Sequence, residues 1–210
     1  LTGPLGRVWT ASIPDYGRWG GPLSYYEPKT GEKKAYYRIC GDASCYTLAH
    51  LKDQKLIAVG TSISGGSGTQ AKVEQSMLFL WDYEAENKVW EGTLDRPISC
   101  FNALLTGPDG KLYGTVVGGN MPPELFVFDP ESREFTNRLA ILPGHPLDLG
   151  LQNGPDGKIY GFTNSCIYQF DPDSLAIKEL IQDSFSVAGP ILGQKVYFAT
   201  GHRLRAVKLF

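Results

Sequence analysis

The run Gly-Pro-Asp-Gly-Lys, then an aliphatic residue, Tyr and Gly, occurs at Gly107–Gly114 and again at Gly154–Gly161 of this 210-residue chain. Gly3-Pro4-Leu5-Gly6-Arg7-Val8-Trp9 is a looser copy, and Lys52-Asp53-Gln54-Lys55-Leu56-Ile57 and Leu192-Gly193-Gln194-Lys195-Val196-Tyr197 keep its outline. A second run follows each copy: Leu23-Ser24-Tyr25-Tyr26-Glu27-Pro28, Leu78-Phe79-Leu80-Trp81-Asp82, Leu125-Phe126-Val127-Phe128-Asp129-Pro130, Ile167-Tyr168-Gln169-Phe170-Asp171-Pro172 and a weak Leu204-Arg205-Ala206-Val207. Five copies of one unit are therefore visible, and a chain of this kind must fold by packing copies against one another.

The spacing decides the unit. Trp9 to Ile57 is 48 residues, Ile57 to Tyr113 is 56, Tyr113 to Tyr160 is 47 and Tyr160 to Tyr197 is 37, close to the length of a four-stranded propeller blade. Alternation at Leu125 and Val127, or Ile167 and Gln169, reads as strand. Pro-Asp-Gly makes a tight turn between two antiparallel strands, and Asp-Pro-Glu-Ser at 129–132 and Asp-Pro-Asp-Ser at 171–174 join the next pair. No helix of twelve or more residues is expected, although Thr69 to Met77 has room for one short helical turn. The expectation is an all-β propeller of four-stranded antiparallel blades, forming one region over 1–210 with approximate units 1–40, 41–96, 97–143, 144–183 and an incomplete 184–210. An inner strand is missing from the first unit and an outer strand from the last. The chain is accordingly expected to be a segment of a larger ring, with further chain or domains outside it.

These runs resemble those of the broad β-propeller superfamily that includes virginiamycin B lyase-like, gluconolactonase-like and quinoprotein-like repeats. The resemblance covers nearly the whole chain and implies the fold. Its motif is a turn-and-strand signature, so it brings no catalytic or metal-ligating residue with it.

Charge and composition narrow the partners. Lys and Arg number 20 against 22 Asp and Glu, for a formal charge of −2, which gives no electrostatic reason to bind nucleic acid or an anionic membrane. No stretch reaches the roughly 18 apolar residues of a membrane span. Cys40, Cys45, Cys100 and Cys166 lack zinc-ligand spacing, so no metal and no cofactor is expected. They read as buried free thiols; the alternative is a Cys40–Cys45 disulfide, which would favour a secreted or periplasmic location. The compartment is otherwise unassigned.

Candidate functional residues lie on loops of one face, where the turns between second and third strands meet the links between units. The richest is the first loop, in which Tyr16 and Trp19 offer flat faces and Asp15 and Arg18 charged hydrogen bonds, a set suited to a glycan or a protein ligand. The competing reading packs Trp19 on the next blade and pairs Arg18 with Asp15. Gly60 to Gly68 lacks the pattern of a phosphate cradle and reads as a flexible loop. Asp95, Arg96 and Asp148 are placed at comparable positions between units, while His50 falls on the opposite rim. The runner-up function is a polysaccharide lyase or lactonase-type enzyme at the channel mouth, with His145 as base and Arg96 neutralising a carboxylate; against it, His145 sits in the turn Pro143-Gly144-His145-Pro146. A purely architectural propeller is the third possibility. Cys45 and Cys100 occupy equivalent inner-strand positions and read as core.

Overall fold

The computed structural model describes residues 1, 3–118, 122–141 and 144–209. The first sheet contains β1 (Val8–Ala11), β2 (Leu23–Tyr26) and β3 (Lys33–Tyr36). Next come β4 (Ser44–Leu51), β5 (Leu56–Ser62), β6 (Leu78–Asp82) and β7 (Asn87–Gly92), then β8 (Cys100–Thr106), β9 (Leu112–Val117), β10 (Glu124–Asp129) and β11 (Glu134–Ala140). These two groups count as one eight-stranded sheet only through the single pair Ser62 with Cys100. A four-stranded sheet of β12 (Pro146–Asn153), β13 (Ile159–Thr163), β14 (Cys166–Phe170) and β15 (Ile177–Gln182) follows. The last sheet holds β16 (Val187–Leu192), β17 (Lys195–Thr200) and β18 (Arg203–Lys208). Apart from the Ser62–Cys100 pair, every pairing is antiparallel between sequence neighbours within a unit, the order expected of propeller blades.

The first and last sheets lack opposite strands. Leu1 exchanges backbone hydrogen bonds with Trp9 (2.8 and 2.9 Å), the partnership that Leu105 of β8 has with Tyr113 of β9. β1 is thus equivalent to β9, a second strand, whereas β16 is equivalent to β8, a first strand. Among the described residues the one helical turn is a 3-10 turn at Pro4–Gly6; the stretch Thr69–Met77 forms no helix, and at its end Ser76 bonds to Ile98 and Met77 to Thr61.

The central strands are buried on both faces, which replaces the simple alternation expected at Leu125 and Val127. In β10, Leu125 and Val127 pack with Tyr113, Ile159, Tyr168 and Phe170 of the following unit's interface. Phe126 and Phe128 turn the other way, onto Leu51, Leu80, Phe101 and Leu112. β6 divides likewise, with Leu78 and Leu80 on one side and Phe79 and Trp81 on the other. Each apolar cluster lies between two successive units, so the core is a series of blade-to-blade interfaces. A strand flanked by apolar layers reads as a continuous hydrophobic run for this reason.

The repeated turn has a physical basis. Asp109 Oδ1 accepts from the Lys111 amide (3.2 Å) while its Oδ2 accepts from the Tyr113 hydroxyl (2.8 Å). Asp156 does the same with Lys158 (3.2 Å) and Tyr160 (2.8 Å). The tyrosine ring lies over the turn's first glycine, where a Cβ would stand 2.4 Å from the ring at Gly107 and 2.3 Å at Gly154. The other turn is capped by Asp129 and Asp171, whose side chains accept backbone amides two residues on (2.8 and 3.0 Å). It also places Arg133 and Leu175 in the left-handed region, at φ 61° and 59°.

Phe126 is fully buried between two units, and Phe126→Ala is expected to cost about 3–5 kcal/mol in thermal or denaturant unfolding. Tyr113→Phe, which removes one hydroxyl bond to Asp109, is expected to cost about 0.5–1.5 kcal/mol. Equal losses for the two variants would contradict an interface-based core.

Candidate functional site

Among the described residues the first two of the expected rim loops meet, and three loops are tied to links between units. Gly20 of the first loop donates to the Asp42 carbonyl (3.3 Å), Ser76 to that of Ile98 (2.8 Å), and Asn164 to that of His145 (2.8 Å). Residues 119–121 of the third loop, part of the expected rim, and Pro143 of the turn around His145 lie outside the described residues.

The first loop, between β1 and β2, docks onto the loop that follows β5. Gly17 donates to Ser67 O (3.0 Å), Gly66 to Arg18 O (2.9 Å), and the Trp19 indole to Gln70 O (2.8 Å). The Lys72 ammonium lies 3.6 Å from the Trp19 ring centroid, a cation held on one aromatic face. The expectation of a flexible loop at Gly60–Gly68 is corrected accordingly: Gly60 to Ser62 belong to β5, and the residues beyond are bound to the first loop. Asp15, Tyr16 and Arg18 are exposed and Trp19 is half-buried. The anticipated Arg18–Asp15 ion pair does not form among the described residues; Asp15 Oδ1 caps the Tyr16 amide (2.8 Å). Asp15, Arg18 and Trp19, with Ile13 of the same loop and Tyr37 and Arg38 of the next link, line an open cleft of about 400 Å³; the Tyr16 ring lies outside it, beside Gly68. Tyr16 and Tyr37 are 76% and 72% exposed.

The two residues of the expected enzymatic pair have separate partners. The Arg96 guanidinium is 12% exposed, donates to Gly118 O (3.1 Å) and Pro122 O (3.4 Å), and lies 3.3 Å from the Glu124 carboxylate. That carboxylate also holds Arg138 at 3.0 Å, and Arg138 reaches Asp95 as well. His145 is exposed; its amide donates to Asn164 Oδ1 (2.8 Å), and no hydrogen bond or ion pair links it to Arg96 among the described residues. His50 stands beside the turn on the opposite rim, its ring 5.8 Å from that of Tyr83 and its pKa lowered by burial. His202 is exposed in the β17–β18 turn. No three His, Cys, Asp or Glu side chains gather as metal ligands among the described residues.

The four cysteines are free and buried. Cys40 and Cys45 approach to 3.9 Å between sulfurs without a disulfide. The hydrogen bond from Cys45 lowers the Cys40 thiol pKa, and the same contact, with burial, raises that of Cys45. Cys100 is pushed up to about 12 by burial.

One constellation was not anticipated. Each inner strand carries a bulge: the register skips Tyr46 in β4, Asn102 in β8, the stretch 147–150 in β12 and 189–190 in β16. Asp148, expected between units, lies instead within β12 and accepts from the Tyr46 hydroxyl (2.8 Å) and the Asn102 amide (3.1 Å). Three successive units thus meet at one carboxylate near the centre, and burial, then the bond to Asp148, raises the Tyr46 pKa. The one signal in the sequence was the polar residues within otherwise apolar inner strands; the bulges that aim them have no sequence signature here.

No protein-family model matches the chain, and no curated protein matches it. Among solved structures it is similar to U3-55K (TM-score 0.63, 11% identity, over 91% of this chain and 54% of that one). It is also similar to the WD40 repeats of RRP9 (0.64, 11%, over 91% and 53%). A third likeness is to the extracellular domain of a hybrid two-component system from B. thetaiotaomicron (0.70, 14%, over 99% and 28%). At these identities the likeness establishes fold: the chain is an all-β propeller. It spans about half the length of the first two structures. These neighbours support the propeller and not the narrower lyase-like, gluconolactonase-like or quinoprotein-like grouping.

A Cβ at residue 66 would stand 1.9 Å from Asp15 O, so Gly66→Ala must separate the two loops. It is expected to destabilise by about 1–3 kcal/mol and to speed amide exchange at Gly17, whose partner is Ser67. Unchanged exchange at Gly17 would show that the loops are not braced by this contact.

Proposed function

We propose that the chain presents a preformed docking surface for a protein partner on the loop-bearing face, built from Asp15, Tyr16, Arg18 and Trp19 with Tyr37 beside them. The observation that carries this reading is the exposure of Tyr16 and Tyr37 on a loop and a link that are hydrogen-bonded to their neighbours. Exposed Tyr, Trp and Arg side chains are those that dominate binding energy at protein interfaces. Bracing the first loop on Ser67 and Gln70 reduces the ordering entropy that binding would otherwise cost. Arg18 has no acidic partner among the described residues, which favours a carboxylate-bearing segment on the other protein.

A propeller fold accords with a binding or scaffold role. A glycan-binding reading rests on stacking at Trp19, and there Lys72 already covers one face of the ring while the indole N–H is committed to Gln70. The lyase or lactonase reading needs a free cation, and Arg96 is taken up by Glu124 and two carbonyls.

The test is site-specific photo-crosslinking in the full chain within its own cells, with the reactive residue at position 16 or 37 and a control at Lys111 on the opposite face. A protein adduct of defined mass at 16 and 37, absent at 111 and reduced about tenfold by Arg18→Glu, is the expected result. A glycan bound on an array and lost in Trp19→Ala, with no protein adduct, would replace this reading with sugar binding.

A further inference from the structure

We infer that Asp148, Asn102 and Tyr46 form a second site, on the propeller axis, for a basic side chain of a partner: a lysine ammonium or an arginine guanidinium. The site stands apart from the rim cleft and does not depend on it. The three residues come from the inner strands of three successive units, and each lies in a bulge, the device that takes a residue out of pairing and re-aims its side chain. They lie near the start of their strands, just inside the loop-bearing face.

A structural role in holding these units together explains the two hydrogen bonds but leaves three features over. First, the Asn102 side chain is 5% exposed and aimed into the cluster; its Nδ2 donates to Asp148, yet its Oδ1 has no donor. A buried acceptor without a donor costs free energy that a bound N–H group would recover. Second, Asp148 is exposed and pairs with no Lys or Arg among the described residues, and its two neighbours are neutral. An amide would have served as a cross-blade acceptor without a charge. Third, the adjacent Leu149 is held at φ 55° with its side chain 68% exposed, offering an apolar shoulder beside the carboxylate.

Together these features describe a cationic head on an aliphatic stem. An ammonium has three donors and a guanidinium five, enough to bridge the free lone pairs of Asp148 and the Asn102 oxygen, while the methylene stem lies on Leu149. A neutral ligand would leave the carboxylate uncompensated, and an anion would be repelled by it.

The experiment titrates the full chain at low salt with N-acetyl-lysine methylamide, the matching arginine amide and the neutral norleucine amide, reading the Asn102 side-chain NH2 and the Leu149 methyls by NMR. The expected result is a saturable shift of both signals with the lysine or arginine probe and none with norleucine. Asp148→Asn should weaken binding about tenfold, and Tyr46→Phe, which keeps the ring and the fold, should weaken it less. An absent or non-saturable response, an equal response to norleucine, or undiminished binding by Asp148→Asn would overturn the assignment. The comparison of charged and neutral probes on the unaltered protein stands even if Asp148→Asn fails to fold.

Discussion

Burial of both faces of each central strand between neighbouring blades is the constraint on which the rest depends. Leu125 and Val127 point one way and Phe126 and Phe128 the other, so no unit has a core of its own. Each such side chain contributes about 1.5–3 kcal/mol when buried, and that energy exists only when the next unit is in place. Stability therefore passes from blade to blade, as in other repeat architectures.

This arrangement also decides where function can sit. The blade interfaces are closed by large apolar side chains, which leaves the loops at the rim and the polar residues along the inner strands free of packing duty. At the rim, the first loop leans on the next blade through Ser67, Gln70 and Lys72, so its aromatic groups are presented in a fixed arrangement. Nearer the axis, bulges turn Tyr46, Asn102 and Asp148 toward one another. The proposed rim surface and the proposed inner-strand site would both rest on packed blades that take no part in recognition.

Local chemistry was legible in the sequence, and distant chemistry was not. Pro-Asp-Gly-Lys-Leu-Tyr spells out its own turn, because the aspartate reaches the lysine amide and the tyrosine hydroxyl within four residues. The repeat of that turn was enough to give the blades. By contrast, Arg96 is held by Glu124, which lies 28 positions away, and Trp19 by Gln70 and Lys72 of another blade. Spacing along the chain cannot reveal such partners. The left-handed residues Arg133, Leu149 and Leu175 were hidden because none is glycine or asparagine; the Asp-capped turns set Arg133 and Leu175 locally, and Leu149 lies in the irregular stretch of β12. The cysteines are the buried free thiols that the sequence suggested; the alternative Cys40–Cys45 disulfide is not formed, the sulfurs resting 3.9 Å apart.

Native-state hydrogen exchange tests the central claim most directly. If the units are held by two-sided packing, amides of β9, β10 and β13, which lie between apolar layers, should show the strongest protection. Those of β17 and β18, packed on one side only, should exchange sooner. Protection in β17 and β18 equal to that in β9 would show that each blade is stable alone, and would contradict the account.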